Sequence, residues 1–109
     1  MPDVSELIAA LTAATDQMED AARGEDWELV AHLQKRRRVL IESLSERLAQ
    51  EPLTEDESER IETIRQQESL VAALANARLE ELRQVLAEFP EVQTPRLSRM
   101  ERAYRDGMG

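Results

Sequence analysis

The chain has 109 residues and a formal net charge of −9, room for one domain with a modest core. It contains no cysteine, which excludes a disulfide frame and thiolate chemistry, and its acidic balance argues against nucleic acid or anionic lipid as the main partner. No apolar run approaches the roughly 18 residues of a membrane-spanning helix, and the acidic start, Met1 to Glu6, lacks the basic opening of a signal peptide, so a cytoplasmic location is expected.

Three glycines and four prolines are too few for the turns of a sheet protein, and Ala, Leu, Glu, Gln and Arg dominate, all good helix formers. The first helix is expected over 3–23. Asp3 is its cap, with Glu6 placed as a capping box requires. Val4, Leu7, Ile8, Leu11, Ala14, Met18, Ala21 and Ala22 form one apolar stripe, and Gly24 is expected to stop the helix in the left-handed conformation. The second helix runs from the cap Asp26 to about Gln50. Its stripe is Trp27, Val30, Leu33, Arg37, Leu40, Leu44 and Leu48, with Leu29 and Ile41 beside it. Trp27 opens that stripe and reads as a core residue. Pro52 ends the helix.

The third helix begins after Thr54, which with Glu57 makes a second capping box, and runs over 55–89. Its seam is Ile61, Ile64, Val71, Ala75, Leu82, Val85 or Leu86, and Phe89, interrupted by the polar Glu68 and Arg78. Leu70, Leu74 and Ala77 widen the apolar face in the middle. The polar first two turns are expected to overhang or cap the bundle. After a stiff linker at 90–95, Thr94 and Pro95 open a short fourth helix carrying Leu97, Met100 and Tyr104, with Ala103 adjacent. About ten residues are too few for a helix stable alone in water. Charge runs −4 over residues 1–24, zero over 25–50, −6 over 51–89 and +1 over 90–109. A weakly basic tail therefore faces an acidic third helix. The segment reads either as a fourth strut of the bundle or as a detachable lid; its apolar burial, helix hydrogen bonds and that attraction offset the entropy of ordering only to a balance near zero, which tilts the reading to the lid.

Short links make the expected fold all-α: an antiparallel three-helix bundle over 1–93 with a regulatory C-terminal helix over 94–109. No catalytic or metal-binding constellation stands out. His32 is the only histidine, reads as a surface residue, and has no ligand set around it. The paired carboxylates Glu55, Glu59 and Glu62 lie on a solvated face. Neither a cofactor nor an enzymatic activity is expected. The run Lys35-Arg36-Arg37-Arg38 winds around the helix rather than forming a flat patch. Arg38 can pair with Glu42, and Arg37, on the apolar seam, is placed to meet Glu68.

The stretch Gly24 to Leu44 reads G-E-D-W-E-L-V-A-H-L-Q-K-R-R-R-V-L-I-E-S-L. It resembles the flagellar protein FliT family of export chaperones. There a helix opens with glycine, Asn or Asp, tryptophan and an acid, followed by a spaced leucine, an arginine and paired aliphatics. Here these are Gly24, Trp27, Glu28, Leu33, Arg37, Leu40 and Ile41, and Glu25 lengthens the glycine-to-tryptophan step by one residue. Ile61, Ile64, Leu74, Arg78, Glu80 and Leu82 are similar to the family's third helix, with Glu68 in place of aspartate and Val71 in place of isoleucine. Ala103-Tyr104 is similar to the A-Y near its C-terminus.

The resemblance implies a cytoplasmic chaperone for the filament-cap protein (hook-associated protein 2). It holds that client unassembled before type III export and has no nucleic-acid or membrane partner. The export ATPase complex and, in some bacteria, the flagellar transcription regulator are the family's other partners. It also implies that Leu97, Met100 and Tyr104 form a lid over a client groove of the second and third helices, for which Leu40, Leu44, Val71 and Leu74 are the expected lining. Three alternatives stay open: another flagellar client, a homodimeric coiled-coil scaffold built on the third helix, and a small nucleic-acid regulator using Lys35 to Arg38.

Overall fold

The computed structural model describes residues 2–89. It consists of α1 (Val4–Arg23), α2 (Trp27–Leu48) and α3 (Glu55–Glu88), with no strand among the described residues. The fourth helix expected over 94–109 lies outside them.

Each helix starts where a side chain can satisfy its first free N–H groups. Asp3 accepts a hydrogen bond from the Glu6 N–H at 2.8 Å. Asp26 accepts from the Leu29 N–H at 3.2 Å. Thr54 closes a full capping box: its hydroxyl accepts from the Glu57 N–H at 3.1 Å, and its own N–H donates to the Glu57 carboxylate at 2.9 Å.

The α1–α2 turn departs from expectation. Gly24 has φ −85°, and the left-handed position is taken by Glu25 at φ 60°. The hydrogen bonds explain the shift. The Asp26 N–H donates to the Ala21 carbonyl at 2.8 Å and the Glu25 N–H to the Ala22 carbonyl at 3.1 Å. That is a Schellman motif with Glu25, not the glycine, at the position that must turn left-handed. The residue inserted between Gly24 and Asp26 is therefore the one that carries the strain.

Packing sets the direction of the helices. Val4, Leu7, Ile8 and Leu11 from the start of α1 cluster with Leu44 near the end of α2 and Ile64 near the start of α3. Met18, Ala21 and Ala22 cluster with Trp27, Val30 and Leu33 of α2 and with Val71, Ala75 and Leu79 of α3. Thus α2 runs antiparallel to both neighbours, and α1 is the shared element. It packs on α2 and on α3, whereas no Cα of α2 lies within 8 Å of a Cα of α3. The bundle is open between its second and third helices.

The projecting end of α3 is its C-terminal one, not the polar first turns. Leu53 and Ile61 pack against the cluster at the start of α1. At the other end Arg78 pairs with Glu25 in the α1–α2 turn at 3.3 Å, so 82–88 extends roughly 10 Å further at a rise of about 1.5 Å per residue.

Candidate functional site

The two apolar clusters are separated by a polar layer centred on Arg37. Its side chain is 2% exposed and bonds to all three helices. Nε donates to the Thr15 hydroxyl of α1 at 2.9 Å, Nη1 to the side-chain amide oxygen Oε1 of Gln34 of α2 at 2.9 Å, and Nη2 to Glu68 Oε2 of α3 at 3.1 Å. Thr15 in turn donates to the Leu11 carbonyl at 2.7 Å. The Arg37–Glu68 pair foreseen on the seams is thus present. Thr15 and Gln34, both buried, complete it. The position of Thr15 on the α1 stripe, between Ala14 and Met18, was the signal available for it.

The guanidinium leads outward. Its Nε end meets α1 in the interior, while the Glu68 side chain at its other end is 36% exposed. The ion pair is therefore open to solvent at its Glu68 end, and it spans two helices whose backbones do not meet. Burying a charge is tolerable only with such partners.

The expected groove residues divide across this layer. Leu44 is buried in the cluster at the start of α1, and Leu40 packs half-buried against it with Leu48 and Ile61. Val71 is buried in the other cluster, and Leu74 and Leu82 pack half-buried on that one. Leu40 with Leu44 and Val71 with Leu74 are therefore two separate pairs, and within each one residue belongs to the core. Leu97, Met100 and Tyr104 lie outside the described residues. Exposed apolar side chains lie on α2 at Leu29, Val39 and Ile41, and on the projecting end of α3 at Val85 and Phe89, with Val39 the most exposed at 63%.

Because Arg37 is interior, Lys35 to Arg38 is not a four-residue surface patch. His32 is exposed. Among the described residues no group of three or more His, Cys, Asp or Glu is placed to hold a metal ion, and no helix is long and apolar enough to cross a membrane.

A family model described as Flagellar protein FliT matches residues 5–105. The chain belongs to the FliT family. No curated protein and no solved structure gives a match. The family match covers nearly the whole chain, including the α2 and α3 residues that carry the resemblance. FliT-family membership makes this a flagellar chaperone that acts by binding partner proteins.

Proposed function

We propose that this FliT-family chain binds the flagellar filament-cap protein in the cytoplasm and keeps it unassembled until type III export. The observation that supports this reading is that α2 and α3 both pack on α1 while their own backbones stay apart, with half-buried apolar side chains on each. In this reading a client helix contacts Leu40, Leu44, Val71 and Leu74 by helix-in-groove recognition. The chaperone would in turn cover apolar client surface that otherwise associates.

In this reading residues 1–93 are the binding bundle and 94–109 the regulatory segment, with Leu97, Met100 and Tyr104 occupying the groove until the client displaces them. The export ATPase complex and the flagellar transcription regulator are further partners of the same chaperone. The deciding experiment removes residues 94–109 and measures filament-cap protein binding by calorimetry. Tighter binding is expected, because a competitor for the groove is gone. Unchanged or weaker binding would rule out the lid.

One observation favours a second reading, homodimerisation. Leu82, Val85, Leu86 and Phe89 follow at i, i+3, i+4 and i+7 along the projecting end of α3. Sedimentation velocity over a range of concentrations distinguishes it. A mass that rises with concentration, and that Val85→Asp returns to the monomer value, supports pairing. A constant mass removes it.

A further inference from the structure

The midpoint of the α2–α3 opening is polar, with apolar side chains on both sides of it. Towards one end Leu40, Leu48 and Ile61 pack half-buried on one apolar cluster, and towards the other Leu82 packs on the second. Between them Glu68 presents a carboxylate that is only partly committed. Oε2 accepts from Arg37 Nη2 at 3.1 Å, while Oε1 receives no hydrogen bond from the described residues. The side chain is 36% exposed, so the carboxylate is open to solvent.

A guest helix lying in the opening removes that solvent. A wholly apolar guest leaves Oε1 desolvated and without a donor, and a guest carboxylate there meets like charge in a water-poor setting. A guest cation satisfies the oxygen and completes a cation–carboxylate–cation arrangement with Arg37. The chain's net charge of −9 adds a field of the right sign. We infer that Glu68 is a specificity-determining contact, and that the opening selects an amphipathic helix whose apolar stripe is interrupted once, opposite Glu68, by a lysine or arginine. This rests on the opening being the partner-binding face.

Two synthetic amphipathic helices of identical composition test it. One carries lysine at the centre of its apolar stripe and glutamate on its outer face. In the other the two are exchanged, so net charge cancels from the comparison. Both are fluorescently labelled and titrated into the full chain, with anisotropy as the readout. The lysine-centred peptide should bind wild type about tenfold more tightly, and Glu68→Gln should bring the two peptides together, whereas Leu40→Gln should weaken both alike. Because the first comparison varies only the peptide, it does not depend on any variant folding. Equal binding of both peptides to wild type, each weakened by Leu40→Gln, overturns the role of Glu68 and leaves the opening as a binding face. A preference that survives Glu68→Gln also overturns it. Failure of both peptides to bind wild type overturns the binding face and Glu68 together.

Discussion

Replacing Arg37 separates two explanations of what its polar layer does. If the ion pair is a source of stability, any residue that abolishes it costs the same. The structure argues otherwise. In Arg37→Met most of the aliphatic volume stays. Thr15 keeps its bond to the Leu11 carbonyl, and Glu68, 36% exposed, turns to water. One hydrogen bond to Gln34 is lost outright, about 1 kcal/mol, and the desolvation of a guanidinium is no longer paid. Arg37→Met should therefore lie within about 1 kcal/mol of wild type. Arg37→Ala leaves a cavity as well, and should cost about 2–4 kcal/mol. Glu68→Ala strands the buried cation on two neutral acceptors. It should cost about 3 kcal/mol, at the low end for a broken buried pair because Glu68 itself is partly hydrated. Against a total stability of about 5–15 kcal/mol that is a large fraction. Urea unfolding followed through the fluorescence of buried Trp27 measures all three. A loss in Arg37→Met equal to or greater than that in Glu68→Ala would refute the reasoning.

Glu25→Gly should stabilise the chain by about 1 kcal/mol, since it relieves a left-handed residue whose pairing with Arg78 is solvent-exposed and worth little. Gly24→Ala should be neutral or slightly stabilising, because the added methyl would meet the nearest atom, the Asp20 carbonyl oxygen, at an ordinary 3.5 Å. Thermal unfolding by circular dichroism reads both, and a destabilising Glu25→Gly would contradict the turn assignment. Thr54→Ala removes one half of a reciprocal cap and should cost about 1 kcal/mol by the same measurement.

Much of this was legible in the sequence because the deciding interactions are local. Asp3, Asp26 and Thr54 announce their helices through bonds three residues away, and Pro52 ends α2 by its own geometry. Arg37 and Glu68 were legible for a different reason: each interrupts an apolar seam at a position where only a buried partner makes the interruption tolerable. What could not be read is what depends on the spacing between helices. A stripe shows that a face is covered, not by which neighbour, so Leu44 and Val71 could not be told from Leu40 and Leu74, nor could the gap between α2 and α3 be seen. Leu79 was missed as core for a related reason. It lies beside Arg78, which occupies the nominal seam, and the burial follows Trp27 and its neighbours rather than the seam. The turn was misread because glycine was taken to mark the left-handed residue, when the bonds to Ala21 and Ala22 place that demand one position later.

The central claim is that the face between α2 and α3 receives the partner. Photo-crosslinking tests it most directly, with a benzophenone amino acid placed in turn at Leu40, Ile61, Ala9 and Ala13 and the filament-cap protein as bait. Adducts from positions 40 and 61 and none from positions 9 and 13, which are exposed on α1, are the predicted result. Adducts from α1 with none from 40 and 61 would contradict it.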